Sequence, residues 1–356
     1  MAVDQTFYRR PLPPGTIAFS SPEGRALFAE ALAQGGLDGY FQVAEQFHTQ
    51  SEPAFCGLGS LVVALNALAI DPGRLWKGPW RWFAEDLLDC CVSLAEVRTR
   101  GLSMDELACL ARCNGADVDV HHSAAVADDL AKFREALRVC ARGEQIMIAA
   151  YDRAALGQTG SGHFSPIGGY HAGRDRVLVL DVARFKYPPH WISAETLWRA
   201  MHALDPATGR SRGWLMLRAR TCGVALGFTV RCIDSSWQAM ATRIEAAYHE
   251  LRQASDARAL VQALRPLSLA VELRSPSSTL HQEVLSEARA ALRALPLYAR
   301  VIAELSAIGV DAEDSAEAIT LLLLASRDVL SPAQRAGLGP LTVADPLSDE
   351  LYNLTA

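Results

Sequence analysis

Apolar residues recur at helical spacing directly after Cys56. Leu58, Leu61, Leu65 and Leu68 lie three or four positions apart, and this pattern predicts an amphipathic helix that begins at or just after Cys56. A thiol at the start of a helix lies near the positive end of the helix dipole, which favours the thiolate. Cysteines are more often simply buried, but the position of this one indicates a nucleophile.

Two features around Cys56 favour the same interpretation. Gln50 lies a short loop upstream and carries an amide donor that could point at a carbonyl attacked by the sulfur. Glycines at Gly57 and Gly59 follow the thiol and also favour a nucleophile over a buried cysteine. We therefore treat Gln50 and Cys56 as one candidate site.

The remaining pattern predicts helices first and antiparallel strands later. Helices are predicted over residues 25–33, 41–47, 103–112 and 128–142, and strands over residues 118–120, 145–151 and 213–218. The helix over 103–112 begins with a capping-box pattern, Ser103 followed by Glu106, and Gly115 is a plausible stop. The order of elements predicts an α+β domain that occupies residues 1–220.

Residues 163–182 predict a hairpin that could supply a base for the thiol. An apolar run ends at Tyr170, turn residues follow at 172–175, and a β-branched strand returns to Asp181. If the loop holds an odd number of residues, His163 and Asp181 face the same side; an even loop would place them on opposite faces and rule out this assignment. Taken alone, such a histidine is more often structural and such an aspartate a turn former.

The character of the sequence changes after residue 220. From Arg231 onward there is no Phe, and Ala, Leu, Arg and Glu dominate runs such as 283–307. This composition predicts a mainly helical second domain over residues 221–356, whose role the sequence does not define.

Composition excludes several classes of function. Half of the 356 residues are hydrophobic, and the net charge is −6, so we expect a folded protein without a general nucleic-acid partner. The N-terminal residues have no apolar signal core, and the longest aliphatic runs are too short to span a bilayer. A cytoplasmic location without a membrane partner is the expectation, and the eight cysteines are then expected to be reduced thiols rather than a disulfide framework.

Four stretches resemble the phytochelatin synthase family closely. They are QSEPAFCGL at residues 50–58, NALAIDPGRLWKGPWRWF at 66–83, GHFSPIGGY at 162–170 and DVARFKYPPHW at 181–191. The resemblance runs from about residue 7 to residue 218. It implies a papain-like cysteine peptidase fold that acts as a transpeptidase on glutathione.

The resemblance also implies the roles of the catalytic residues. Cys56 attacks the carbonyl that joins cysteine to glycine in glutathione, and His163 moves the proton to the leaving glycine. Asp181 orients the imidazole, and Gln50 with the Cys56 backbone N–H stabilises the oxyanion. A second glutathione or a growing phytochelatin then captures the acyl group, whereas capture by water would make the protein a glutathione hydrolase.

Substrate-binding residues follow from the resemblance as well. Asp205 and Arg212 match positions that hold the amino and carboxylate groups of the donor, beside Gly162. The positions that match those proposed for the second substrate are Arg153, Arg184, Lys186 and Tyr187. For Arg153, a solvated surface charge is an equally good interpretation.

The resemblance implies activation by cadmium or another soft ion, chiefly as a metal-glutathione thiolate, with no tightly bound cofactor. Four cysteines, Cys90, Cys91, Cys109 and Cys113, match cysteines of plant members and are candidate metal ligands. Cys109 and Cys113 share a helix face, although burial explains such a pair better than a metal. A homodimer is a further expectation, and a non-enzymatic metal-binding protein is disfavoured because no Cys-x-x-Cys spacing occurs.

Overall fold

A computed structural model describes residues 8–73, 75–220, 229–232, 237–268, 271–274, 286, 289–310, 313–327 and 329–341. The chain divides into two units, Met1–Cys222 and Gly223–Ala356. Residues 221–228, which follow the predicted domain boundary, lie outside the described residues. Each unit has its own secondary structure and core and is described separately.

Helices of the first unit precede, flank and separate its strands. They are α1 (Pro22–Ala33), α2 (Tyr40–Glu45), α3 (Cys56–Ala67), α4 (Leu94–Arg100), α5 (Met104–Cys113), α6 (Ala127–Ala141) and α7 (Ala194–Met201).

Seven strands of the first unit form one antiparallel sheet. They are β1 (Ile17–Ala18), β2 (Ala116–His122), β3 (Ile146–Asp152), β4 (Gly162–His171), β5 (Arg176–Val179), β6 (His190–Ser193) and β7 (Gly213–Ala219). Their spatial order is β1-β6-β5-β4-β3-β7-β2. Helices with an antiparallel sheet confirm the α+β class.

The predicted helix boundaries hold where local signals are strong. Helix α3 begins at Cys56, and the capping box of α5 is formed by reciprocal bonds between Ser103 and Glu106. Helix α1 begins at Pro22 rather than at residue 25, because Ser21 caps it and proline is well suited to a first helical position. Strands β1 and β6 and helices α4 and α7 were not predicted.

Helix α3 lies within the core of the first unit. Residues 57–65 are all buried, so this part of α3 is covered on every side, whereas a surface helix buries only one apolar stripe. Met147 and Tyr151 of β3 belong to a core cluster with α6 and α7, whereas Gly57 of α3 approaches Phe164, which pairs with Ala150. Because successive side chains of a strand alternate, α3 covers the opposite face of the sheet from α6 and α7.

The hairpin of β4 and β5 corrects the parity prediction. Four residues, 172–175, connect the strands, so the expected odd loop is wrong. The register near the turn pairs His171 with Arg176, but it shifts between Ile167 and Gly169. A β-bulge adds one residue to one strand, and the extra residue, Gly168, restores the parity that the even loop removes. His163, which precedes the bulge, therefore faces the same side as Asp181.

The second unit is mainly helical in its described residues. Its helices are α8 (Trp237–Gln253), α9 (Ala257–Ser268), α10 (Pro296–Ala307), α11 (Glu313–Ala325) and α12 (Pro332–Leu338), and its strands are β8 (Thr229–Cys232) and β9 (Val271–Arg274). The two strands pair antiparallel, a feature that the sequence did not predict. Buried leucines of the helices, such as Leu260, Leu264 and Leu305, form its core.

None of the helices in the described part of the chain is both long and apolar enough to cross a bilayer.

Candidate active site

Cys56 is the first residue of α3, and its thiol is only partly buried. The N-cap residue, Phe55, makes no side-chain capping bond. The first intrahelical bond runs from Gly59 N–H to the Phe55 carbonyl at 2.8 Å, so the N–H groups of the first turn have no helical acceptor. These groups and the helix dipole favour a negative charge at the sulfur or at an oxygen beside it.

His163 and Asp181 form a buried hydrogen-bonded pair beside Cys56. His163 Nε2 lies 2.8 Å from Asp181 Oδ1, and the two side chains are 5% and 0% exposed. Asp181 Oδ1 also accepts from the Ala183 backbone N–H at 2.9 Å, which fixes the carboxylate. The imidazole therefore presents its other ring nitrogen to the thiol.

Arg153 completes a charge cluster at Asp181. Its Nη2 donates to Asp181 Oδ1 at 2.9 Å and Oδ2 at 2.8 Å and lies 2.8 Å from His163 Nε2. Because a guanidinium only donates, Arg153 and His163 act as two donors on one carboxylate. Arg153 is 3% exposed, so its interpretation as a solvated surface charge is wrong.

Charges in this cluster favour an ionised thiol. Burial raises the pKa of Cys56, but the positive charge and hydrogen bond of His163, the Phe164 backbone N–H and Arg153 outweigh burial and lower that pKa. Burial lowers the pKa of His163, yet the Asp181 carboxylate raises it on balance. Burial raises the pKa of Asp181, while His163 and Arg153 hold it far below its usual range. Both shifts are in the direction that favours a thiolate at Cys56 and an imidazolium at His163.

Tyr187 and Gln158 support Arg153 from behind. The Arg153 guanidinium carbon lies 5.1 Å from the centre of the buried Tyr187 ring, and Nη1 donates to Gln158 Oε1. Thr159 N–H donates to the Tyr187 hydroxyl at 2.9 Å. Tyr187, predicted to bind the second substrate, thus contacts the site through Arg153.

A cleft of about 400 Å³ opens beside Cys56. Seven of the predicted residues line it: Cys56, Arg153, Gly162, His163, Lys186, Asp205 and Arg212. The structure therefore brings together residues that lie more than 150 positions apart. Gln50, Arg184 and Tyr187 are not among the described residues that line the cleft.

Asp205 and Arg212 provide opposite charges at one end of the cleft. Arg212 Nη1 donates to the carbonyls of Ala203 and Leu204 at 2.9 and 2.8 Å, while Nε and Nη2 lie over Gly162. A Cβ at Gly162 would come within 2.7 Å of Arg212 Nη2, so a larger residue there would displace the Arg212 guanidinium. An amino and carboxylate pair of a ligand would find both charge partners here.

Lys186 and Arg184 differ in their position. Lys186 lines the cleft, and burial together with the Arg153 charge lowers its pKa. Arg184 is exposed, and its guanidinium carbon lies 5.1 Å from the centre of the Phe47 ring. Lys186 is therefore the better placed of the two to meet a ligand near Cys56.

Gln50 is buried beside α3 and held by its own loop. Nε2 donates to the carbonyls of Glu52 at 2.7 Å and Pro53 at 2.9 Å, and Oε1 has no partner among the described residues. The predicted oxyanion role requires one of these amide protons to be shared with a substrate oxygen. Catalytic hydrogen bonds often tighten only in the substrate complex.

Long-range hydrogen bonds that the sequence did not predict hold the loop that carries Asp205 and Arg212. Arg210 Nη1 donates to Asp105 Oδ2 at 3.1 Å, and the Arg210 carbonyl accepts from Asp205 N–H at 2.8 Å. His122 binds the Ser211 carbonyl at 2.6 Å. Asp105 and Arg210 lie 105 positions apart, and no local pattern could have paired them.

The four predicted metal ligands come together, but two of them are joined. Cys91 and Cys109 form a disulfide, so the expectation of reduced thiols only is wrong for this pair. Cys113 Sγ lies 3.2 Å from Cys91 Sγ, and Cys90 Sγ lies 3.9 Å from it. The sulfurs of Cys90, Cys91 and Cys113 lie within 4.8 Å of one another, a spacing that a soft ion could bridge if the disulfide were reduced.

The sequence of the chain is similar to a known family and to several of its members. Residues 7–214 match the sequence model described as phytochelatin synthase. A protein of Lotus japonicus named glutathione gamma-glutamylcysteinyltransferase 3 is 45% identical over 77% of this chain and 56% of its own length. Proteins named glutathione gamma-glutamylcysteinyltransferase 1 from Triticum aestivum and Arabidopsis thaliana are each 51% identical, over 66% and 65% of this chain and 47% and 48% of their own. The chain spans about half the length of these relatives.

Proposed function

The chain belongs to the phytochelatin synthase family, and on that premise we propose that it transfers the γ-glutamylcysteinyl group of glutathione to a second glutathione or to a phytochelatin. Its relatives are named for that transfer. The fold that we propose for the first unit is papain-like. A homodimer stays a prediction.

One observation carries the proposal. A partly exposed thiol at a helix start, a buried histidine and aspartate pair, and the opposite charges of Asp205 and Arg212 meet at one cleft. A nucleophile, its base and a zwitterion site are what acyl transfer from a γ-glutamyl peptide needs.

Acylation begins with the ionised Cys56. The sulfur attacks the carbonyl carbon of the bond between cysteine and glycine, and the carbonyl oxygen becomes an oxyanion. Free N–H groups at the start of α3 and the amide of Gln50 stabilise that charge. The His163 imidazolium gives its proton to the glycine nitrogen, the carbon–nitrogen bond breaks, and glycine leaves a thioester on Cys56.

Deacylation reverses these roles. The amino group of the acceptor attacks the thioester carbonyl, and the now neutral His163 takes the amine proton. The carbon–sulfur bond breaks, which returns the thiolate, and the imidazolium is restored by the proton. Asp181 holds the ring in one orientation through both steps.

Substrate charges match the charges of the cleft. The α-amino and α-carboxylate groups of the donor pair with Asp205 and Arg212. The acceptor has two free carboxylates, for which Lys186 and Arg153 provide positive charge on the side of the cleft near Asp181. Arg184, which is exposed and lies over the Phe47 ring, and Tyr187, whose ring packs against Arg153, contribute indirectly.

Soft metal ions enter the proposal as part of the substrate. Two glutathione thiolates bridged by cadmium present a compact acceptor with its sulfurs already engaged. A second binding site that we propose for such an ion is the cluster of Cys90, Cys91, Cys109 and Cys113, once its disulfide is reduced. No cofactor is needed for the steps at Cys56.

One incubation separates transfer from the alternatives. The protein is mixed with glutathione, with and without cadmium, and thiol products are resolved by chromatography. Oligomers of γ-glutamylcysteine with release of glycine support transfer, and Cys56→Ala should abolish both products. γ-Glutamylcysteine alone would show a hydrolase, and no turnover would leave only a binding protein.

A further inference from the structure

Glu85 carries a buried carboxylate close to the loop that leads into Cys56, and the steps above do not use it. It belongs to a short 3₁₀ helix, Glu85–Leu87, and its side chain is 7% exposed. A carboxylate that is so deeply buried costs free energy unless hydrogen bonds satisfy it. Its partners therefore show which part of the molecule it holds.

Both oxygens of Glu85 contact the loop of residues 48–51. Oε2 accepts from the Ser51 backbone N–H at 2.9 Å and from the Ser51 hydroxyl, and Oε1 lies 3.3 Å from His48 Nε2. His48 and Ser51 flank Gln50. One carboxylate thus fixes the chain on both sides of the predicted oxyanion donor.

Gln50 and Glu85 also meet at the same point of the nucleophile helix. A Cβ at Gly59 would lie 2.8 Å from Glu85 Oε1 and 3.3 Å from Gln50 Cβ. On its other side, the Gln50 backbone N–H donates to the Val182 carbonyl at 3.0 Å, next to Asp181. The position of Gln50 relative to Cys56 therefore depends on how Glu85 seats this loop against α3.

We propose that Glu85 is a positioning residue that sets the amide of Gln50 relative to Cys56 and thereby the stabilisation of the oxyanion. The inference rests on the acyl transfer proposed above. Glu85 is not one of the described residues that line the cleft, and its contacts with His48 and Ser51 connect it to the reaction through the loop that carries Gln50. The role of the carboxylate is to accept hydrogen bonds with its two oxygens, and it transfers no proton in the reaction.

A double-mutant cycle tests this role. Glycine release from glutathione is measured for Gln50→Ala, Glu85→Ala and the double variant, with alkylation of Cys56 followed separately. Each single change should lower kcat about 100-fold, the effect of losing one oxyanion donor, with KM and the alkylation rate unchanged. The double variant should be no slower than Gln50→Ala, because Glu85 acts through Gln50.

Two further variants sharpen the cycle. Glu85→Gln keeps one oxygen that can accept from Ser51 N–H, so it should recover part of the rate lost in Glu85→Ala. Asp86→Asn removes an exposed neighbouring carboxylate and should match the unchanged protein. If Glu85→Ala does not fold, the same cycle is run with Glu85→Gln.

The inference is overturned if the two single effects multiply, if Gln50→Ala leaves kcat unchanged, or if the Glu85 variants slow alkylation and raise KM in parallel. Those last changes would show a general structural role. Absence of glycine release by the unchanged protein would instead overturn the proposed function, and the inference with it. The two failures are therefore distinguishable.

Discussion

His163 Nε2 lies 2.8 Å from Asp181 Oδ1 although an even loop joins their strands. The pairing depends on the bulge at Gly168, which shifts the register by one residue. A Cβ at Gly168 would lie 3.1 Å from two carbons of Leu180, so there is little room for a side chain at position 168. The geometry of the proposed triad is thus set by a defect in the sheet, not by the turn.

The charge cluster predicts how Cys56 reactivity depends on pH. Because His163 lowers the pKa of Cys56, alkylation of Cys56 should persist well below the pKa of an ordinary thiol, about 8.5. The alkylation rate should fall only when the thiolate becomes protonated. Asp181→Asn removes the charge that raises the pKa of His163. A neutral His163 no longer stabilises the Cys56 thiolate. The pH midpoint of Cys56 alkylation should therefore rise by about 1 to 3 pH units.

Rates of iodoacetamide labelling across pH, with the adduct located by peptide mass spectrometry, measure that midpoint. Asp119→Asn is the matched control, because Asp119 is 73% exposed. An unchanged midpoint in Asp181→Asn would show that the carboxylate does not stabilise the imidazolium.

Arg153→Met should destabilise the first unit. The change removes a buried partner of Asp181, and loss of one member of a buried ion pair costs about 3 to 5 kcal/mol. Arg218→Met is the control, since the Arg218 side chain is 48% exposed and its partner Asp119 is 73% exposed, and such an exposed pair is worth less than about 1 kcal/mol. Urea unfolding of both variants measures the difference, and equal losses would mean that burial of Arg153 adds nothing.

Donor binding should depend on Asp205 and Arg212 through KM. Asp205→Asn removes one charge from the cleft, and a hydrogen bond to a charged group contributes about 1.5 to 3 kcal/mol. KM for glutathione should therefore rise roughly 10- to 100-fold, with kcat little changed, as expected for uniform binding. Arg212→Lys should behave similarly because it loses the planar donor set that also holds the 203–204 carbonyls.

Steady-state glycine release gives both constants, with Arg218→Lys as the exposed control. A fall in kcat at constant KM would instead place these residues in the chemical step.

The cysteine cluster should bind cadmium only when reduced. Cys91 is joined to Cys109, and a disulfide sulfur is a poor metal ligand compared with a thiolate. In a Cys56→Ala background, reduction should create an ultraviolet thiolate-to-metal band on cadmium titration, and Cys90→Ser with Cys113→Ser should remove it. Equal cadmium binding before and after reduction would place the metal elsewhere.

How much the sequence could predict depends on the range of each signal. Helix α3 and the capping box of α5 follow from residues three or four positions apart, so periodicity found them. The bulge at Gly168 restores the parity that the four-residue loop removes, and the local signal for it, a glycine inside a strand, was not used in the prediction. The bonds between Glu85 and Ser51 and between Arg210 and Asp105 join distant segments, and only the folded chain brings these residues together.

The catalytic set was predicted mainly by resemblance, and the structure adds its surroundings. In a chain so rich in arginine, a surface position was as good an interpretation of Arg153 as a place in the site, yet it lies buried on Asp181. The disulfide between Cys91 and Cys109 could not be derived from spacing, because eight cysteines allow many pairings.

The most direct test of the central claim is to trap the acyl group on Cys56. The protein is mixed rapidly with glutathione, quenched in acid, and the intact mass and modified peptide are determined. We expect a thioester of γ-glutamylcysteine on Cys56, formed as glycine is released and absent from Cys56→Ser. Glycine release without an adduct on Cys56, or an adduct on another residue, would contradict the role of Cys56 as the nucleophile.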